Sequence, residues 1–185
     1  MKVYFISDLH FGHTATLFFE NNFRSQILNN ITTIEQHDQM IVDNINSIVK
    51  KRDILYILGD LGNHETINNI NCNKRLHLGN HDKRPVTDYQ KLQYTTVVSC
   101  IPYKRHWVTH IPIHEVELWN KRNIHGHVHS KSIRDPRYIN LSVELTGGYP
   151  ISFELIQDEK FVTFDKFTPQ DCLNQIDEIK KIYAK

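Results

Sequence analysis

Short apolar runs that end directly in aspartate, histidine or asparagine recur along this chain and constrain its fold more than any other feature. Five runs of this kind occur, and the polar residues that follow them are Asp8 and His10, Asp60, Asn80 to Asp82, His110, and His127 with His129. Continuous β-branched and aromatic runs predict strands that are buried on both faces. The residues that follow such strands lie on loops held by a rigid sheet, where catalytic groups are commonly placed.

The segment Gly79-Asn80-His81-Asp82 is the most informative of these strand ends. Taken alone, it is equally compatible with an ordinary polar turn. Asn80 offers a neutral oxygen ligand, His81 offers an acid or base near neutral pH, and Asp82 is placed to hold the His81 ring. Because the same arrangement recurs at four other strand ends, we favour a functional site over a turn.

Capping patterns predict two helices. Thr33 and Gln36 form a capping box before an amphipathic stripe that reaches about Val49. Near the end of the chain, Thr168 is the predicted N-cap and Pro169 the first residue of a second helix. These are the two most clearly marked helices of the sequence.

The first helix lies between two apolar strands, over 2–7 and 53–58, which predicts a parallel βαβ unit with a right-handed crossover. Strict alternation over 138–144 predicts a half-exposed strand. The stretch 18–30 gives a mixed signal, and no element is predicted there. Shorter strands are predicted over 75–78, 95–99, 105–109 and 123–125, and short helices over 65–71 and 88–92.

Length and composition predict one α/β domain over residues 1–185, with 39% hydrophobic and 23% charged residues. The net charge of +1 gives no global attraction to nucleic acid or membranes. Cys72, Cys100 and Cys172 have no paired spacing, which predicts reduced, small apolar residues. With no signal sequence or membrane span in view, we expect a cytoplasmic protein that contacts no membrane.

The polar strand ends supply the ligands expected of a metal site. Asp8 and His10 are two residues apart, and His127 and His129 repeat this spacing after Gly126. The seven candidate ligands are Asp8, His10, Asp60, Asn80, His110, His127 and His129. Seven ligands are too many for one ion but suit two ions if one carboxylate bridges them. Mixed oxygen and nitrogen ligands without a thiolate favour manganese, iron, zinc or nickel over calcium, magnesium or structural zinc.

In combination, these motifs resemble those of the calcineurin-like metallophosphoesterase superfamily. The matching segments are Asp8-Leu-His10, Gly59-Asp60, Gly79-Asn80-His81-Asp82, Thr109-His110 and Gly126-His127-Val128-His129. More narrowly, Ser7 to His13 and Asn140 to Glu144 are similar to segments of small bacterial and phage phosphoesterases of that group. The expected cytoplasmic location would then be in a bacterium, or in the host cell if a phage encodes the chain.

The resemblance implies a four-layer αββα sandwich with a dinuclear metal site at the C-terminal ends of its strands. It implies that the first metal is held by Asp8, His10 and His129, that Asp60 bridges, and that the second is held by Asn80, His110 and His127. His81, with Asp82 behind it, would be the proton donor. The cofactors would be two divalent transition-metal ions, with Mn²⁺ the first choice and Fe, Zn or Ni the others.

The expected reaction is hydrolysis of phosphate mono- or diesters, with small nucleotide-type substrates, by a metal-activated hydroxide. After Asp60 the chain lacks the Asp-Arg-Gly continuation of protein serine/threonine phosphatases, which disfavours that substrate class. His64 follows Asn63 and mimics the Asn80-His81 pair, but no second strand delivers it. His13 and Arg84 are candidate phosphate-binding residues, with a helix-start role for His13 and a solvated loop role for Arg84 as the alternatives.

Two other functions are open at this point. A nuclease that acts on DNA or RNA would need a long basic track, which the near-neutral charge does not favour. A non-catalytic protein-binding scaffold of the same fold would be expected to lose ligand positions, and all seven are present.

Overall fold

Two mixed β-sheets and six α-helices form the described part of this computed structural model, residues 1–166 and 168–184. The first sheet contains, in spatial order, β4 (Thr95–Val98), β3 (Asn73–His77), β2 (Ile54–Leu58), β1 (Val3–Ile6) and β9 (Ile151–Ser152). Its strands are parallel except β9, which runs antiparallel to β1. The second sheet contains β5 (Ile101–Tyr103), β6 (His106–Val108), β7 (Arg122–His125) and β8 (Tyr138–Asn140), with β5 alone antiparallel.

The helices are α1 (Phe19–Ile27), α2 (Ile34–Ile48), α3 (Val86–Gln90), α4 (Val143–Thr146), α5 (Phe153–Gln157) and α6 (Pro169–Tyr183). Both helices predicted from capping patterns are confirmed, because α2 and α6 each begin with a capping box. The predicted βαβ unit is also confirmed, since β1 pairs with β2 in parallel. Helix α1 fills the stretch for which no element was predicted, and 65–71 contributes a single 3₁₀ turn, Thr66–Asn69.

The first sheet is buried on both faces, as its continuous apolar strands predicted. Along β1, Tyr4 and Ile6 pack with side chains of α1, α2 and α6 in one hydrophobic cluster. The intervening Phe5 joins a second cluster that includes Val108 of β6 and Ile124 of β7. One face of the first sheet therefore packs on helices, and the other packs on the second sheet.

The two sheets also meet at the C-terminal end of β1. The backbone N–H of Ser7 donates to the carbonyl of Leu141, at 3.0 Å, and Ser7 forms a parallel bridge with Ser142. The Ser7 hydroxyl donates to the carbonyl of Leu58 at 2.9 Å. These bonds hold the end of β1 against the end of β2 and against the segment after β8.

The half-exposed strand predicted over 138–144 is wrong. The strand ends at Asn140, all three of its residues are buried, and helix α4 follows. Asn140 is buried because it hydrogen-bonds: its Nδ2 donates to the carbonyls of His129 and Lys131, and its Oδ1 accepts from Ser142. The alternation of polar and apolar residues reflects internal hydrogen bonding in this segment, whereas the prediction took it for contact with solvent.

Two of the three cysteines match the expected small apolar role. Cys72 and Cys172 are buried, whereas Cys100 is exposed. Over residues 1–166 and 168–184, no helix combines the length and apolar character needed to cross a membrane.

Replacing Thr33 with alanine should destabilise the protein by about 1 kcal/mol, because the Thr33 hydroxyl accepts the Gln36 backbone N–H at the start of α2. Urea denaturation measures the change. Ser47→Ala, at an exposed position of the same helix, is the control and should change the stability by less than about 0.5 kcal/mol. Equal effects of the two substitutions would contradict the capping role.

Candidate metal centre

The structure brings the five polar strand ends together at one edge of the molecule. The sequence predicted ligands after β1, β2, β3, β6 and β7, which belong to two different sheets. The backbone hydrogen bond from Ser7 to Leu141 joins the two sheets at this edge, and the Ser7 hydroxyl joins the ends of β1 and β2. Side chains from all five loops therefore face one another. Parallel strands place their C-terminal ends on one side of a sheet, and two such edges here make a single site.

Six of the predicted ligands form two groups, each able to hold a metal ion. The first group is Asp8, His10 and His129, and the second is Asp60, His110 and His127. In each group, one ligand atom from every residue lies within 4.8 Å of the others. The arrangement matches the sequence prediction in its division of the ligands, with Asn80 next to the second group.

Asp60 connects the two groups. Its Oδ2 lies 3.5 Å from His10 Nε2 in the first group, and its Oδ1 lies 3.5 Å from His110 Nε2 in the second. The carboxylate is buried, and its position is fixed further by the backbone N–H of His81, which donates to Oδ1 at 2.9 Å. One carboxylate thus faces an imidazole nitrogen of each group.

In the first group, His10 presents a buried nitrogen that the described residues leave without a hydrogen-bond partner, Nε2. Burial, with a smaller effect of Arg24, lowers the pKa of His10 to about 2, so the imidazole is neutral and its lone pair is available. Asp8 is held by the backbone N–H of His127, at 2.9 Å, and by the hydroxyl of Ser142, at 2.8 Å. Asp8 and His10 therefore each present a ligand atom to the same candidate metal position.

His129 is oriented by a buried ion pair that the sequence analysis missed. Its Nδ1 donates to Oε1 of Glu144 at 3.0 Å, and the same oxygen accepts Nε of Arg24 at 2.7 Å. Burial raises the pKa of Glu144, but Arg24 and His129 outweigh it and hold that pKa well below its usual range. For His129 burial opposes protonation, and the hydrogen bond to Glu144 nevertheless raises the pKa. With Nδ1 bonded to Glu144, Nε2 is the nitrogen of His129 that could ligate a metal.

In the second group, two oxygen atoms lie beside a ring nitrogen of His110. His110 Nδ1 donates to the carbonyl of Leu58 at 2.7 Å, which leaves Nε2 as the nitrogen that faces the other candidate ligands. That nitrogen lies 3.0 Å from Oδ1 of Asn80 and 3.5 Å from Oδ1 of Asp60. Burial, and then His110, lowers the pKa of His127 and favours its neutral ring. The mixed nitrogen and oxygen set is of the kind that a divalent transition metal would take as ligands.

The backbone is strained at the candidate ligands. Left-handed φ angles between 49° and 71° occur at Asp8, His10, Asp60, His127 and His129. Such conformations cost on the order of 1–3 kcal/mol each and cluster at functional sites. Glycine precedes three of the ligand turns, at Gly59, Gly79 and Gly126. At two of them the contacts are on other ligand loops: a Cβ at Gly126 would overlap Ser7 Oγ and Asp8 Oδ2, and one at Gly79 would overlap Asp60 Oδ1.

His81 lies at the mouth of the centre, but Asp82 does not hold its ring. The exposed His81 ring lies 5.2 Å, centroid to centroid, from the ring of His10. Asp82 instead accepts the backbone N–H groups of Leu61, at 3.0 Å, and Gly79, at 2.8 Å. The predicted His81–Asp82 pairing is therefore corrected: Asp82 joins the loops after β2 and β3. Burial, and then the charge of Asp60, raises the pKa of Asp82, although backbone hydrogen bonds to its carboxylate act to lower that pKa.

His13 and Arg84 both lie beside the centre. A cavity of about 490 Å³ is lined by His10, His13, His81 and Arg84. The His13 ring lies 5.7 Å from that of His10, and its carbonyl accepts the Thr16 backbone N–H at the start of a 3₁₀ turn. His13 therefore has the helix-start position considered from sequence, and its role in phosphate binding stays a prediction. By contrast, four other histidines are buried and belong to neither ligand group: His37, His77, His106 and His125.

Comparisons with known proteins give relatives without a stated activity. No family model matches the chain. An uncharacterized protein of Methanocaldococcus jannaschii, MJ1445, is 28% identical over 171 residues, and the match covers 84% of this chain and 89% of that protein. The gene 66 protein of Mycobacterium phage L5 is 34% identical over 90 residues, and the match covers 44% of this chain and 40% of the phage protein.

The fold is shared with a solved structure, the protein of unknown function AQ665 from Aquifex aeolicus. The two structures agree with a TM-score of 0.64 at 24% identity, over 85% of this chain and 98% of that one. The similarity establishes a common α/β fold.

Glu144→Gln should destabilise the metal-free protein by about 3–5 kcal/mol at pH 7, because Arg24 then lacks its buried counter-ion. The wild-type contribution of Glu144 is present above the unfolded pKa of about 4.3 and is lost as the pH falls below it, since folding lowers this pKa. Urea denaturation in EDTA between about pH 5 and pH 3, the range in which Glu144 of the unfolded chain becomes protonated, should show a shallower pH dependence for the variant. The exposed Glu117→Gln is the control, and a parallel pH dependence of Glu144→Gln and wild type would refute the assignment.

Proposed function

We propose that this protein is a metal-dependent phosphoesterase of the calcineurin-like metallophosphoesterase superfamily. The observation that carries the proposal is the position of Asp60, whose two carboxylate oxygens face one histidine of each ligand group at 3.5 Å. A carboxylate placed in this way suits a pair of cations, as the sequence motifs implied. The substrate class is phosphate mono- or diesters, with small nucleotide-type esters first.

The residues divide between the two proposed metal ions as the two groups do. Asp8, His10 and His129 would hold the first ion, and Asn80, His110 and His127 the second, with Asp60 shared. The unpaired Nε2 of His10 and the two oxygen atoms that lie beside His110 Nε2 support this division. Mn²⁺ is the proposed ion, with Fe, Zn or Ni as the alternatives, because the ligands mix imidazole with carboxylate and amide oxygens.

A pair of bound divalent cations lowers the pKa of a shared water and balances the charge of the phosphate oxygens during an in-line displacement. The chain itself supplies the remaining groups. His81 is exposed at the mouth, close to His10, where it can give a proton to the departing alkoxide. Arg84 and His13 line the same cavity and can bind phosphate oxygens. Asp82 fixes the loop that carries His81 through its backbone hydrogen bonds.

The arrangement of the sheets supports the finer fold that the superfamily implies. Helices α1, α2 and α6 pack on one face of the first sheet, and the second sheet packs on the other. We therefore propose the four-layer αββα sandwich as the architecture, with a dinuclear metal site at the strand ends.

Purified protein reconstituted with Mn²⁺ should bind two ions per chain and hydrolyse bis-p-nitrophenyl phosphate. Asp60→Asn should lose at least one of the two ions and lower kcat/KM by at least about 100-fold, because the shared carboxylate is gone. Metal content of the desalted protein and steady-state kinetics measure both effects. Asp43→Asn, on the exposed surface of α2, is the control. Absence of both bound metal and turnover with Mn²⁺, Fe²⁺, Zn²⁺ and Ni²⁺ would refute the proposal.

His81→Ala should lower kcat by about 10²–10⁴ for an alkyl phosphate diester, whose leaving group needs a proton. The loss should be much smaller for p-nitrophenyl esters, because p-nitrophenolate leaves without protonation. His64→Ala is the matched control, since His64 also follows an asparagine but packs against Tyr89. Equal losses for the two ester types would exclude His81 as the proton donor.

A further inference from the structure

A cavity of about 960 Å³ lies between the edge strands β4 and β5 and reaches the candidate metal centre at Asn80 and His110. Its apolar walls are formed mainly by Leu78, Val97, Val98, Ile101, Ile111 and Ile113. We call it the apolar cleft. Its size lies in the range of small-molecule binding sites.

Charge distinguishes the apolar cleft from the cavity around His81. None of the described residues that line the cleft is Lys, Arg, Asp or Glu. The cavity on the His10 side contains Arg84 and the exposed His81 and is otherwise polar at Asn63. A charged group placed in the apolar cleft would lose hydration without gaining a counter-ion, so the cleft favours an uncharged occupant.

Two large apolar side chains of the cleft are exposed to solvent. Ile111 is 53% exposed and Val86 is 46% exposed. Next to them, His77 is buried, and neither of its ring nitrogens has a hydrogen-bond partner among the described residues. Exposed apolar side chains that rim a concave site are typical of ligand-binding grooves. Apolar walls with an imidazole ring among the lining residues suit a planar aromatic group.

Resting on the proposed function, we infer that the apolar cleft binds an uncharged aromatic group carried by the phosphate of the substrate. The cleft begins at Asn80 and His110, which are candidate metal ligands, so a group seated there is within reach of a phosphate at the centre. The substrates are therefore phosphate esters in which one ester group carries an aromatic or heteroaromatic ring, rather than esters of small hydrophilic alcohols.

Two phosphonates that cannot be hydrolysed test the inference with the Mn²⁺-loaded protein. Phenylphosphonate and methylphosphonate share the charged group, and calorimetry should give phenylphosphonate at least about tenfold tighter binding, because only its ring is buried in the cleft. In the double variant Val86→Ser/Ile111→Ser the advantage should fall to about threefold or less, with methylphosphonate unchanged. Val116→Ser, at an apolar residue 69% exposed and outside the cleft lining, should keep the full advantage.

Alkylation of Cys100 gives a second readout that is independent of activity. Cys100 lines the cleft and is exposed, whereas Cys72 and Cys172 are buried. Phenylphosphonate should slow its reaction with a maleimide several-fold, and methylphosphonate should not.

The outcomes separate this inference from the proposed function. Equal affinities of the two phosphonates for metal-loaded protein, or an aromatic advantage retained in the double variant, would overturn the inference alone. Alkylation that slows with protein concentration would also overturn it, because a second copy of the chain would then cover the cleft. Failure to bind both metal and methylphosphonate would refute the proposed function together with the inference.

Discussion

The hydrogen bonds of Ser7 are the interaction on which the candidate centre depends. The Ser7 backbone N–H reaches Leu141, beyond β8, and its hydroxyl reaches Leu58, at the end of β2. Each bond contributes about 1 kcal/mol on its own. Their effect on the site is larger. The backbone bond sets the edge of one sheet against that of the other, and the hydroxyl bond holds the end of β2, which leads to Asp60, against β1. The second hydrophobic cluster supports this register, since Phe5 packs there with residues of both sheets.

Local signals in the sequence predicted the parts of the site that lie next to strand ends. Each candidate ligand follows a short apolar run, and the side of a parallel sheet on which such residues emerge is fixed by strand direction. The division into Asp8, His10 and His129 on one side and His110 and His127 on the other required the superfamily resemblance, and the structure has the same division. The helices α2 and α6 were predictable for a similar reason, because a capping box is defined by four consecutive residues of the sequence.

The parts that the sequence did not predict depend on contacts between distant segments. Arg24 and Glu144 are separated by 120 positions, and neither residue stands in a pattern that marks it as half of a buried pair. The alternating segment that contains Glu144 predicted exposure, because polar side chains that bond internally look the same in a sequence as polar side chains in water. Asp82 was misjudged in the same way: adjacency to His81 suggested a pair, whereas its carboxylate bonds the backbone of Leu61, 21 positions earlier.

The site is built from conformations that are unfavourable without compensation, and this bears on what it binds. Left-handed backbone at five ligand residues and a buried unpaired nitrogen on His10 both oppose folding. The ion pair of Arg24 with Glu144 fixes His129 but does not neutralise Asp60. Under the proposed function, cations would offset these costs together, because each would satisfy several lone pairs at once. Ligation would then stabilise the folded state, because the ions would bind the folded chain and not the unfolded one.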